Sequence, residues 1–193
     1  MIPGAEPGST LLDPDETVGL IPMHIANRAE LDEWELSNIV DGELWAFSRR
    51  HRNLLEPDFI RELHRKMFGD TWRWAGQYRL TEKNIGVAPS EIATVIQNLC
   101  ADVRAQLEFG KPAVDAIAAR FSHRLVSIHP FANGNGRHSR EMADLLLVHH
   151  GATRFSWGAK DPERAEGARS RYLQALRNAD ADDYTALMTF VRS

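Results

Sequence analysis

The sequence predicts an all-α fold with one small β-hairpin, and three observations carry that expectation. Apolar residues recur at helical spacing in successive segments, separated by breaks that contain glycine or proline. Only Thr71–Pro89 departs from this pattern, with short β-compatible runs on either side of Lys83-Asn84. Met142–Val148 is apolar almost all round, as a helix at the centre of a helical domain must be.

Residues 1–22 hold four of the nine prolines and three glycines, with little apolar periodicity. They read as an extended arm that Leu20 and Ile21 could anchor. A helical extension over 23–56 follows. Asn27 is its N-cap and Glu30 reaches back, and the helix runs to about Arg50 with Leu36, Val40, Leu44 and Phe47 as its apolar face. The core domain spans 57–193. Pro57 suits the first turn of its opening helix and Gly69 suits the stop, with Phe59, Ile60, Leu63 and Met67 turned inward. The stretch Tyr78–Ala88 forms the hairpin. Ile92, Val95, Ile96, Leu99, Val103 and Leu107 mark a long helix closed by Gly110-Lys111-Pro112. Ile117, Phe121, Leu125 and Ile128 form one stripe of the next, from about Ala113. The central helix starts near Gly136 and stops at Gly151, and two more begin at the Asp161-Pro162 cap and at Asp180.

Composition excludes several classes of function. The 193 residues suffice for one ordinary domain with a sizeable core. A net charge of −4 gives no global attraction to nucleic acid or anionic membrane. No run approaches the roughly 18 apolar residues of a membrane span, and the first residues lack a basic region followed by an apolar one. A single cysteine, Cys100, rules out an internal disulfide and a Cys-rich zinc site. The eight histidines show no ligand spacing such as HExxH, and the five tryptophans are more simply core than base-stacking platforms. A cytoplasmic protein fits these features.

The chemistry concentrates in residues 129–140, HPFANGNGRHSR. Two readings are open, a structural turn between helices and a site holding phosphate beside a base. Pro130 disfavours continued helix at His129. Gly134-Asn135-Gly136 can adopt backbone angles that turn successive N–H groups into one concavity, and a helix N-terminus adds partial positive charge there. Arg137 and Arg140 lie three apart on the helix's first turn, and guanidinium groups pair bidentately with phosphate. Phe131 can anchor the loop. His129, with an ordinary pKa of about 6.5, can accept a proton at neutral pH. The conjunction suggests transfer of a phosphate-containing group to an alcohol.

This stretch resembles the Fic motif, HxFx(D/E)GNGRxxR, of the Fic/Doc family, with one departure: Asn133 stands where the family has an acid. Trp72-Arg73-Trp74-Ala75-Gly76 resembles the family's lead-in to its flap, and LDPDETVGLIPMHIANRAELDEWE resembles a subfamily called mobile mystery protein B. The resemblance implies transfer of AMP from ATP to a Ser, Thr or Tyr hydroxyl of a target protein. His129 would be the general base. Phe131, Gly134, Asn135 and Gly136 would shape the nucleotide site, and Arg137 and Arg140 would neutralise the phosphates. Asn84, Ile85 and Gly86 in the flap would hold the target. Asn133 takes a full negative charge from the position that would serve Mg²⁺, which weakens metal use. An inhibitory helix, (S/T)xxxE(G/N), has a near match in Ser37, Asp41 and Gly42, with Asp41 aimed at Arg140. Doc-like phosphorylation of a hydroxyl and a nucleotide-binding module without catalysis are the alternatives. A small separate antitoxin or helix-turn-helix protein is the further partner the resemblance implies.

Overall fold

The computed structural model describes residues 17–25, 27–48, 50–110, 112–159 and 167–193. Seven α-helices are found among them: α1 Arg28–Phe47, α2 Pro57–Phe68, α3 Ile92–Phe109, α4 Val114–Ile128, α5 Asn135–His149, α6 Ala168–Asp180 and α7 Thr185–Arg192. A 3₁₀ turn, Pro89–Glu91, leads into α3. The all-α expectation holds. The hairpin does not: Tyr78–Ala88 is an irregular loop, and among the described residues the one β-bridge joins Leu20 to Trp72. The Asp161-Pro162 cap lies outside the described residues. Asp180 ends a helix rather than starting one, and the last helix begins at Thr185.

Pro57 and Gly69 bound α2 as the sequence requires, with the Gly69 N–H on the Arg65 carbonyl. The helix buries Phe59, Ile60, Leu63, Met67 and Phe68. At about 1.5–3 kcal/mol for each large side chain removed from water, this face alone holds the helix to its neighbours. α4 and α5 pack against each other, α3 lies against α4, and α6 and α7 pair beside them. The central position belongs to α5, whose Met142, Ala143, Leu146 and Leu147 are wholly enclosed.

The face that α1 buries is not the one its large apolar residues mark. Leu36, Val40 and Leu44 are 61%, 46% and 65% exposed, whereas Leu31, Glu35, Asn38, Gly42 and Ala46 face inward. The reason is a close backbone approach. A Cβ on Gly42 would stand 2.8 Å from the Met67 Cα, so only glycine lets α1 lie this near α2. Asn38 is buried there because it caps the end of α2, its amide on the Lys66 carbonyl at 3.3 Å and its carbonyl oxygen accepting from the Asp70 N–H at 3.1 Å. Two satisfied hydrogen bonds offset the burial of its polar group. The Asn27 cap forms as expected, its side chain accepting from the Glu30 N–H at 3.0 Å.

Behind the centre of the fold, Arg154 draws α1 and α5 together. It pairs with Glu43 of α1 and with Glu141 and Asp144 of α5. Asp144 also accepts from the Phe155 N–H at 2.9 Å and the Trp157 indole at 3.0 Å. Burial pushes the Glu141 carboxyl up to about 7, Arg154 pulling the other way.

Candidate active site

The residues singled out in 129–140 occupy one turn between α4 and α5. His129 is the C-cap of α4 and takes a left-handed conformation, φ 53° and ψ 59°. That region costs a non-glycine residue roughly 1–2 kcal/mol. Gly134 caps α5 with φ +79°, and a Cβ there would meet the Phe68 ring at 2.6 Å. Gly136 is different: a Cβ would meet nothing within 4 Å, so this face of the first turn of α5 is open. The helix N-terminus therefore presents its partial positive charge to an accessible space.

The interior of the loop is built by its own side chains. Asn135 is buried, accepting from the Phe131 N–H at 2.9 Å and donating to the Phe131 carbonyl at 2.8 Å. Its side chain thus closes the loop, leaving only its backbone to face an anion. Phe131 is fully enclosed, with its ring on His64 at a centroid distance of 3.7 Å. His64 joins three segments: its Nδ1 accepts from the Gly76 N–H at 3.0 Å and its Nε2 lies 3.0 Å from the Asn133 carbonyl. Because an N–H can only donate, Nδ1 must be the acceptor and Nε2 must carry the proton. Burial holds this imidazole well below the ordinary histidine range, as the neutral tautomer demands.

His129 itself is only 4% exposed. Burial lowers its pKa to about 4, helped by the cations Arg79 and Lys83 and opposed by a hydrogen bond to the Val126 carbonyl. At neutral pH it is a neutral imidazole able to accept a proton. The two motif arginines have different neighbours. Arg137 lies over the Phe68 ring at 5.0 Å and donates to Glu35 of α1 at 2.8 Å. Arg140 lies over Tyr172 at 5.6 Å and near Trp157 at 6.0 Å.

Asn133 turns its side-chain oxygen onto the Gly134 N–H at 2.7 Å. No group of three or more His, Cys, Asp or Glu converges anywhere among the described residues. This donor set does not fit a divalent cation held by the protein, which wants carboxylate oxygens. Asn84, Ile85 and Gly86 lie exposed on the 80–88 loop, Ile85 at 51%. Ser37 and Asp41 are also exposed, Asp41 in a cleft beside Arg65 and Lys66, and Gly42 is buried against α2. The α1 carboxylate that meets a motif arginine is Glu35, which is 1% exposed and also accepts from the Trp72 indole at 2.7 Å. Glu35, His64 and Arg79 escape sequence reading because nothing in their spacing separates them from ordinary surface charges or a core histidine. The small residue Gly42, one and two turns from Asn38 and Glu35, is the one available sign that this side of α1 turns inward.

A glycine-bracketed helix start with two arginines follows directly on a neutral buried histidine in this helical domain. Residues 54–147 match the family model described as Fic/DOC family. That segment, from the loop before α2 into α5, is a Fic/DOC family domain. It is 42% identical over 65 residues to a Fido domain-containing protein of Dictyostelium discoideum, covering 34% of this chain and 41% of that one. It is 28% identical over 181 residues to a Sinorhizobium fredii protein named "Probable protein adenylyltransferase y4lH", covering 88% and 86%. The fold matches the BepC protein of Bartonella tribocorum, solved with bound AMPPNP, with TM-score 0.68 at 16% identity, over 93% of this chain and 97% of that one.

Proposed function

We propose that this chain is a protein adenylyltransferase that moves AMP from ATP onto a Ser, Thr or Tyr hydroxyl of a target protein. The observation that carries the reading is the open N-terminal turn of α5 at Gly136, one helix-loop away from a neutral, buried His129. A relative of nearly matching length is named as an adenylyltransferase, and a solved neighbour holds an ATP analogue, which supports the choice of nucleotide.

In this reading the α5 turn and Arg137 receive the polyphosphate, and Arg140 stands one turn on. His129 takes the proton as the acceptor oxygen bonds to the α-phosphorus; the bond to the bridging oxygen breaks and pyrophosphate leaves. Fixed N–H dipoles and guanidinium charge suit a step whose developing charge sits on phosphate oxygens. Any Mg²⁺ arriving with ATP is held by the nucleotide's phosphates and water, since Asn133 is already engaged. Glu35 restrains the site in the resting state, because it occupies Arg137. Asn84, Ile85 and Gly86 offer the exposed edge on which a target segment lies. A cytoplasmic location and a small separate inhibitory partner complete this reading.

Incubation with ATP labelled at the α- or the γ-phosphate, in a cell lysate, tests the reaction. Label from the α position on a protein is the expected result. Label from the γ position alone establishes phosphorylation, and nucleotide binding without labelled product establishes a binding module.

A further inference from the structure

The flap loop and the catalytic turn are joined by one side chain that the motif does not contain. Arg79 is 3% exposed. Its Nε donates to the His129 carbonyl at 2.7 Å, its Nη1 to the Thr81 carbonyl at 2.8 Å, and its Nη2 to the Val87 carbonyl. Thr81 and Val87 are the two ends of the exposed loop that presents Ile85, so one guanidinium closes that loop at its neck. Backbone bonds continue the seam. The Arg79 N–H donates to the Pro130 carbonyl at 2.9 Å and the Val87 N–H to the Ile128 carbonyl at 3.2 Å. Three successive carbonyls, those of Ile128, His129 and Pro130, therefore accept from the flap. Gly86 lies against the same seam: at φ +101°, a Cβ on it would stand 2.7 Å from both the Arg79 Nη2 and the His129 Cβ.

His129 holds a left-handed backbone that only an over-determined setting retains, and the central carbonyl of this seam is its own. From this geometry we infer that Arg79 is a positioning residue, fixing the general base and the acceptor-binding loop as one rigid unit, so that an acceptor hydroxyl presented by the loop meets the imidazole in register. The inference rests on the adenylyltransferase reading for its consequence, though the clamp is a property of the fold. Lysine cannot replace the arginine, because an ammonium is a point donor and the clamp is a planar fork reaching three carbonyls at once.

The test uses the full chain with Arg79→Lys, Arg79→Gln and Gly86→Ala, the last disturbing the seam without removing a buried cation. Amide hydrogen exchange at Arg79 and Val87 and an NMR titration of His129 need no activity; AMPPNP titration and transfer from α-labelled ATP follow function. In Arg79→Lys, exchange at Val87 is expected to rise by about tenfold or more as the local seam opens. Transfer falls roughly a hundredfold, as a displaced acceptor does to a rate, while the AMPPNP dissociation constant stays within about threefold. In Arg79→Gln the titration of His129 moves up from about 4, since burial, Lys83 and the Val126 carbonyl remain but the nearest cation is gone. If Arg79→Gln does not fold, Gly86→Ala must reproduce the faster exchange and the loss of transfer. Protection at Val87 and transfer both at wild-type levels in Arg79→Lys overturn the inference. A wild-type protein that transfers nothing refutes the adenylyltransferase reading alone, and exchange and titration unchanged by all three substitutions then overturn the clamp.

Discussion

His129 is buried, neutral and backbone-strained, and each property has a measurable consequence. A base whose pKa is lowered to about 4 is deprotonated through the whole physiological range. The pH profile of kcat/KM for the protein acceptor should therefore be level down to about pH 5 and fall only below it. A profile bending near 6.5 would mean an ordinary solvated imidazole. His129→Ala should lower turnover by roughly 10²–10⁴-fold while leaving AMPPNP binding in place. Glu35 makes the opposite prediction. Its carboxylate engages Arg137, the first cation beside the open turn. Glu35→Gln keeps an acceptor for the Trp72 indole but gives up the charge, and should tighten AMPPNP binding several-fold by isothermal titration. Unchanged or weaker binding would show that Arg137 is not a limiting partner of the nucleotide.

At the scale of elements, the sequence and the fold agree where punctuation is chemical and diverge where packing decides. Pro57, Gly69, Gly110 and Asn27 each end or start a helix for a reason local to the backbone, and they do so in the structure. The loop of residues 129–136 was legible for the same reason, since its glycines and Pro130 dictate its path. The rotation of α1 was not. Leu36, Val40 and Leu44 form the larger apolar stripe, yet the helix turns Gly42 and Ala46 to its neighbour because backbone proximity there demands small residues. The stretch Tyr78–Ala88 reads as a hairpin because its residues suit strands. Its hydrogen bonds go instead to α4's end and to Arg79, and no composition records a tertiary partner. The rotation can be tested by thermal or urea unfolding. Leu31→Ala should cost about 2–5 kcal/mol, whereas Leu36→Ala and Leu44→Ala should each cost under about 1 kcal/mol. Equal costs would return the apolar stripe to the interior.

Across the whole molecule, buried titratable groups pull stability in two directions. Burial lowers the pKa values of His64, His129 and His138, the last two to about 4 and about 3. The unfolded chain takes these protons first, so their contribution is complete above about pH 6.5 and is lost as pH falls through the folded values. Glu141 is the reverse, since burial raises it from 4.5 to about 7. The unfolded chain ionises first, and stability declines as pH rises between those two values, with Asp144 raised by burial in the same sense. Three histidines outweigh two acids on the acid side, so Tm should peak between about pH 6 and 7 and fall most steeply toward pH 4. Glu141→Gln should raise stability at pH 8 by about 1–3 kcal/mol and leave pH 4 unchanged, where the carboxyl is protonated in both states. A shift of equal size at both values would place Glu141 in water.

All of the functional reading depends on the open first turn of α5 receiving a nucleotide's phosphates, and Gly136 isolates that claim. Because a Cβ there meets nothing within 4 Å, Gly136→Ala should leave stability unchanged or raise it through better helix propensity, by up to about 0.5–1 kcal/mol. The same methyl would stand where the phosphates approach the backbone, so AMPPNP affinity, measured by isothermal titration, should fall by roughly tenfold or more, about 1.4 kcal/mol. Wild-type affinity in a stably folded Gly136→Ala protein would contradict the account.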